Sequence, residues 1–207
     1  MDSLLKNDLV LVINRKRKKT LPVWTASPRV ISETFSDSVF DIVDRKNSTL
    51  SIKVAPNTGS ATYYNRCKGT PYELRFIRFE DYMNQFGEYT RNMGRADFVV
   101  CDTSHEYFII HEISEGSIGN KLPKARTQLF NTLNLLYDAP SVKDYINGFR
   151  HKTCFVTAIG GAANSPLDMA AGFNDIYSLL PDPIPFNAKQ ITNRGFQALE
   201  TRNIKLE

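Results

Sequence analysis

The sequence predicts a mixed α/β fold, and three observations carry that expectation. Residues 96–101 (ADFVVC) and 106–113 (EYFIIHEI) have the length and apolar content of strands, and the turn-forming DTSH between them predicts an antiparallel hairpin. Residues 123–137 place Leu129, Leu133 and Leu136 on one face behind Pro123, which suits a first helical turn, so a helix is expected there. The apolar run 152–159 (KTCFVTAI), stopped by Gly160–Gly161, predicts one more buried strand.

Around this centre the other elements follow in chain order. Residues 8–14 (DLVLVIN) are a short apolar run and predict a strand ending at the basic run 15–19. From Ser32 to Asp44, Phe35, Val39, Phe40, Ile42 and Val43 recur near helical spacing, which predicts an amphipathic helix capped by Ser32 with Glu33 in its first turn. Alternation predicts strands at 49–54 (TLSIKV) and at 72–79 (YELRFIRF), the latter bulged where the phase shifts at Ile77. Residues 80–93 predict a helix ended by Gly94, and 141–149 a short helix ended near Gly148. Four of the ten prolines fall after residue 160, where short helices are expected at 167–177 and 187–200. A single domain of residues 1–207 is expected, with a core at 30–160 and a C-terminal extension at 161–207.

Composition narrows the function classes. With 207 residues, 42% of them hydrophobic, the chain can bury a core without disulfides or a structural metal. Cys67, Cys101 and Cys154 are far apart, which argues against a disulfide framework or a zinc site. Cys101 and Cys154 sit in apolar runs and are expected to be buried thiols, so a reducing, cytoplasmic setting follows. No stretch has the ~18 apolar residues of a membrane span, and the N-terminal order, apolar before basic, is not that of a secretory signal. The net charge of +4 permits a nucleic-acid partner without requiring one. Arg15, Lys16, Arg17, Lys18 and Lys19 form a cationic run that reads either as a solvated loop or as a contact to phosphate or to an acidic protein surface.

The chemistry-bearing segment is 95–114 (RADFVVCDTSHEYFIIHEIS) with the helix that follows. Asp97 opens one predicted strand and Glu112 lies near the end of the next, so a hairpin brings both carboxylates to one sheet edge. Two such oxygen ligands suit Mg²⁺ or Mn²⁺, and such an ion activates water for attack on a phosphate. His111 alternates to the opposite face, where a core histidine is expected. His105 and His151 read as turn and surface residues. Tyr63, Tyr64, Arg66 and Lys68 interleave aromatic and basic residues in a loop that reads either as a base-stacking or phosphate-gripping patch or, more plainly, as structural tyrosines.

An acidic residue on one strand, a Glu at the end of the next, a helix bearing Gln and then a strand resemble the core of the PD-(D/E)xK nucleases. The resemblance spans roughly residues 30–160 and is specific only in 95–130. It implies a restriction-endonuclease-like α-β-β-β-α-β core, a mixed central sheet flanked by helices, with N- and C-terminal extensions. It implies metal ligation by Asp97 and Glu112, with Glu33 as a third acidic ligand; the plainer reading of Glu33 is a first-turn acid favoured by the helix dipole. Ser114 stands where the family carries its lysine. Lys124, one turn before Gln128 on the same helix face, is the candidate for a migrated lysine, with Lys121 in reserve. Gln128 would support the site, and Arg126 and the run 15–19 would grip the nucleic-acid backbone. The implied function is a metal-dependent endonuclease acting on DNA in preference to RNA. The alternative is a nuclease-like fold without catalysis that binds nucleic acid or protein. A homodimer or a protein partner would meet the C-terminal extension.

Overall fold

The hairpin expected at 96–113 lies at the centre of the structure, a computed structural model. The structure describes residues 1–65, 69–91, 93–115, 118–159 and 183–207; at 115, 118–121, 158 and 159 it describes the backbone alone. In chain order the elements begin with α1 (Asp2–Leu4), a π-helical turn (Leu5–Leu9) and α2 (Val10–Lys16). Strands β1 (Ser32–Phe35), β2 (Val39–Ile42), β3 (Lys53–Val54), β4 (Ala61–Asn65) and β5 (Leu74–Arg78) follow, then α3 (Phe79–Asn84) and a 3₁₀ turn at Gly87–Tyr89. Next come β6 (Phe98–Asp102), β7 (Tyr107–Glu115), α4 (Ile118–Tyr137), α5 (Pro140–Asn147) and β8 (His151–Ile159). The chain closes with β9 (Ile184–Pro185), α6 (Lys189–Thr192), β10 (Gln197–Glu200) and β11 (Asn203–Leu206).

A seven-stranded mixed sheet runs in the order β1-β5-β6-β7-β8-β10-β9, and a four-stranded sheet in the order β11-β4-β2-β3. Strands β5, β6 and β7 form an antiparallel meander. After α4 and α5 the chain returns as β8, parallel to β7, and β10 adds parallel to β8. Because successive side chains in a strand point to opposite faces, β6, β7 and β8 feed two cores. Val99, Cys101, Ile110, Cys154 and Val156 pack toward the helices with Leu129, Leu133 and Leu136 of α4. Phe98, Val100, Ile109 and Phe155 pack toward the second sheet with Phe40, Ile42, Tyr63 and Ile204. Helices therefore cover one face of the large sheet, and the second sheet covers the other.

Several sequence expectations are corrected. The run 8–14 is helical, not a strand: Leu5, Leu9, Val12 and Ile13 are buried at helical spacing, while Leu11 is 55% exposed. Such a short apolar run fits either period, and packing decides. The helix expected at 32–44 is two strands, β1 and β2, because Phe35 and Phe40 reach into the aromatic layer between the sheets with Phe76. The expected bulge at Ile77 is absent: β5 pairs with β6 in unbroken register from Leu74↔Asp102 to Arg78↔Phe98. Its change of phase reflects burial on both faces. In the tail, 187–200 holds only the short α6 before β10, while the helix expected at 167–177 and the Gly160–Gly161 turn lie outside the described residues. Cys101 and Cys154 are buried free thiols, as expected. Among the described residues no helix is long and apolar enough to cross a membrane.

His111 faces the second sheet, as its alternation requires. It is fully buried, 2.9 Å from the Tyr63 hydroxyl through Nδ1 and 2.8 Å from Thr157 Oγ1 through Nε2. Burial drives its pKa down to about 3, so the folded protein holds a neutral imidazole. The unfolded chain takes up that proton near pH ~6.5, and the folded state does so only far lower. Stability is therefore expected to fall as pH drops below ~6.5, by at most ~1.4 kcal/mol per pH unit from this residue. Urea unfolding of His111→Gln beside the wild type, from pH 7 to 4.5, should show a shallower acid loss in the variant; parallel profiles would contradict this account.

Candidate active site

The site grows from the register of the hairpin. Phe98 pairs with His111, so Asp97, one residue earlier, stands opposite Glu112 on the helix-covered side. Both are nearly excluded from water, at 3% and 5% exposure. The Ile113 N–H donates to Asp97 Oδ2 at 2.7 Å and fixes that carboxylate across the strand pair. Glu112 Oε2 is buried with no hydrogen-bond partner among the described residues. An orphaned carboxylate oxygen at such depth is costly, which makes it the most informative atom of the site.

The backbone around Asp97 is fastened from two sides. Gln128 of α4 donates through Nε2 to the Arg95 carbonyl at 2.9 Å, and the Ala96 N–H donates to Thr132 Oγ1 at 2.8 Å. The Asp97 carbonyl accepts the first N–H groups of α3, from Phe79 at 2.8 Å and Glu80 at 3.3 Å. Glu80 is thereby set beside Asp97. From the other side, the connection between β2 and β3 delivers Asp44 and Lys46. Asp44, Glu80 and Asp97 each place one carboxylate oxygen within 4.8 Å of the others. Lys46 Nζ stands among them, 2.9 Å from Glu80, 3.6 Å from Asp44 and 4.0 Å from Asp97.

Arg78, the last residue of β5, holds that connection in place. Its buried guanidinium donates to the carbonyls of Arg45 (3.3 Å), Ser48 and Leu50 and to Glu33 Oε1 (2.7 Å), and lies 3.9 Å from Asp81. The Asn47 N–H donates to Asp81 Oδ1 at 3.1 Å, with Asn47 in the left-handed region (φ 53°) that a tight turn demands. A cavity of about 10 Å³, lined in part by Asp44, Arg78, Glu80 and Asp97, has the room of one water molecule.

The electrostatics are those of crowded like charges. Burial, then Asp44 and Glu80, push the Asp97 pKa above the usual carboxylate range, against the Ile113 hydrogen bond and Lys46. Burial, then Asp97, push Glu112 up, again with Lys46 opposing. Burial also raises Asp44, with Lys46 opposing and Glu80 adding to the rise. Burial alone would depress Lys46, but its hydrogen bond to Glu80 and the charges of Asp97, Glu80 and Asp44 outweigh it and raise its pKa. Among the described residues, three carboxylates thus lie within 4.0 Å of the Lys46 ammonium, with Glu112 behind Asp97.

The structure sorts the sequence candidates. It brings Asp97 and Glu112 together. Ser114, buried and two residues beyond Glu112, shares the Glu112 face. Gln128 touches backbone and not the carboxylates. Glu33 is not on a first helix: it lies on the edge strand β1, where Arg78, the Ser51 hydroxyl and the Ile52 N–H occupy its carboxylate. Those hydrogen bonds and the Arg78 charge lower its pKa despite burial, the largest single influence, which acts to raise it. Lys124 is exposed on α4 and makes no polar contact with the carboxylates, and the Lys121 side chain lies outside the described residues. The cationic run is not one open loop. Arg15 and Lys16 end α2, Lys16 pairs with Asp138 (2.6 Å), and Arg17 donates to the Asn14 and Leu21 carbonyls. Arg15, Lys18 and Lys19 are exposed. Arg126 stacks over Phe186 at 4.9 Å. Tyr63 and Tyr64 lie on β4, and their neighbours Arg66 and Lys68 lie outside the described residues.

Sequence reasoning missed Asp44, Lys46 and Glu80. The signals were an acid and a lysine two residues apart just after the apolar stretch 39–43, and an acid just after a strand-ending arginine. Comparisons of the chain with protein-family models, with curated proteins and with solved structures find no match.

Proposed function

We propose that the protein is a metal-dependent phosphodiesterase acting on nucleic acid, with its centre at Asp97, Glu112, Asp44 and Glu80. The observation that carries this reading is the orphaned Glu112 oxygen opposite Asp97, whose carboxylate clusters with those of Asp44 and Glu80 around the Lys46 ammonium. An all-carboxylate donor set is hard and anionic, which fits Mg²⁺ or Mn²⁺. Asp97 and Glu112 would hold the ion, with Asp44 and Glu80 completing the oxygen set. Such an ion, when bound, polarises a phosphate oxygen and lowers the pKa of an attacking water.

The chain's own contribution is arrangement. The Ile113 N–H orients Asp97, the α3 amides seat the Asp97 backbone, and Gln128 anchors the residues leading to it. The side chain of Lys46 is about half exposed and those of Asp44 and Glu80 about one-fifth, so the cluster opens to solvent on that side. The reaction there is addition of water to a phosphodiester, giving a phosphomonoester and a free hydroxyl. The order meander, helix, parallel strand supports the nuclease-like reading of the core. Exposed Arg15, Lys18 and Lys19 are available for contacts to the nucleic-acid backbone, which would favour binding at low salt. DNA is the leading substrate and RNA the second.

The test is a cleavage assay on single- and double-stranded DNA and RNA with Mg²⁺, Mn²⁺ or EDTA. Cutting should require the ion and fall by ~10²–10³-fold or more in Asp97→Ala and in Glu112→Ala, the scale of losing one preorganised charged group. Gln128→Ala, which only loosens a support, should lose ~10–100-fold. A folded wild type that cuts none of the four substrates with either ion would refute the enzyme reading and favour a binding role, which the serine at position 114 would suit.

A further inference from the structure

We propose that Lys46, carried by the β2–β3 connection, is the cation that meets the substrate phosphate at this centre, and that its ammonium keeps the metal's place until a divalent ion displaces it. The inference rests on the phosphodiesterase reading and assigns a residue to that same centre.

The geometry gives two reasons. First, Lys46 Nζ contacts all three carboxylates whose oxygens lie within 4.8 Å of one another. A divalent ion drawn to those oxygens and an ammonium already among them exclude each other by size and by charge. Second, the ammonium has somewhere to go. The Lys46 side chain is 53% exposed, whereas that of Asp97 is 2% exposed. Lys46 therefore stands at the mouth of the cluster, where a phosphodiester would approach. The loop itself need not move, because Arg78 and Asp81 hold the backbone on both sides of Lys46 through the Arg45, Ser48 and Leu50 carbonyls and the Asn47 N–H. A change of side-chain rotamers transfers the charge from carboxylates to phosphate. The site is not an acidic cluster alone, since Glu112, only 5% exposed and opposite Asp97 in the hairpin, carries a buried oxygen with no hydrogen-bond partner among the described residues.

Lys124, by contrast, is exposed on α4 and meets none of the four carboxylates. Ser114 is short and neutral, so it cannot supply the charge. The connection from the second sheet is thus the source of a lysine within reach among the described residues.

The experiment pairs two readouts on wild type, Lys46→Met and Lys46→Arg, each checked for folding by circular dichroism. Mn²⁺ binding is measured directly by electron paramagnetic resonance with no nucleic acid present, and single-turnover cleavage is measured on the best substrate. The expected result is tighter Mn²⁺ binding by Lys46→Met together with cleavage slower by ~10²–10³-fold, and an intermediate rate for Lys46→Arg. Lys46→Met that cuts at the wild-type rate, or binds Mn²⁺ no more tightly, overturns the proposal while leaving the phosphodiesterase reading intact. A wild type that binds no Mn²⁺ and cuts nothing overturns that reading, and this proposal with it.

Discussion

Replacing Glu112 by glutamine is expected to make the metal-free protein more stable, with a margin that widens as pH rises. Glu112 is buried, one of its oxygens has no hydrogen-bond partner among the described residues, and Asp97 faces it across the strand pair. Burial first, then the neighbouring carboxylates, raise its pKa above the value of ~4.5 that an unfolded chain shows. Between those two values the folded state keeps a proton that the unfolded state has released. The stability this proton confers is complete below the unfolded pKa and drains away as pH climbs, by at most ~1.4 kcal/mol per unit. Glutamine does not titrate, and its amide can donate to Asp97. The variant should therefore lead the wild type by ~2–4 kcal/mol at pH 8 in EDTA, and by little at pH 5. In a chain of this size that is roughly 5–15 °C in melting temperature. Saturating Mn²⁺ should reverse the ranking, because an ion that binds only the folded state stabilises the wild type and has lost a ligand in the variant. Thermal melts at pH 5 and pH 8, with EDTA or Mn²⁺, decide the matter. A variant less stable than wild type in EDTA at pH 8, or one equally stabilised by Mn²⁺, would show that the carboxylates are a structural network and not a strained ion site.

Arg78→Met should have the opposite sign and a larger reach. Arg78 is 4% exposed, and its guanidinium donates to Glu33 and to three backbone carbonyls of the β2–β3 connection. Methionine roughly fills the volume but takes the guanidinium donors from those carbonyls and its charge from Glu33 and Asp81. Removing one partner from such a buried charge network costs about 3–5 kcal/mol. The loss should be local as well as global. Hydrogen exchange should speed up across residues 45–52 more than across β6 and β7, and Mn²⁺ binding should weaken because Asp44 is no longer held beside Asp97. Arg78→Lys should rescue little, since a single ammonium cannot span the carbonyls that the planar fork reaches. Unchanged protection at 45–52, or a loss below ~1 kcal/mol, would remove Arg78 from its bracing role.

How much of this was written in the sequence depends on how local the instruction was. The hairpin was legible because its strands, its turn and its two acids lie within 20 residues, and alternation fixes Asp97 and Glu112 on one face. His111 was legible for the same reason. Gln128 was found as a support, but the form of that support, its hydrogen bond to the Arg95 carbonyl, is a contact that no helix-face argument reveals. Glu33, Asp44 and Lys46 were misread or missed together. The apolar residues between 35 and 43 fit a helical period by coincidence, while their burial is decided by an aromatic layer assembled from Phe35, Phe40, Tyr63 and Phe76. Only once those residues are strands does the chain turn at 43–52 and bring an aspartate and a lysine to the end of β5.

The pairing of β11 with β4 also sets a timetable. Asn203 meets Thr62 and Leu206 meets Asn65, in parallel, across more than 130 residues of chain. Contacts at such separation are slow to form, because the intervening chain must surrender its freedom before any hydrogen bond repays it. The β5–β6–β7 meander needs only neighbours and can assemble first. The four-stranded sheet is expected to close late, when β11 joins beside β4, and until then β4 would present an open edge on which another chain can dock. Crowded refolding, at high protein concentration, is where this molecule is most exposed to pairing with the wrong partner.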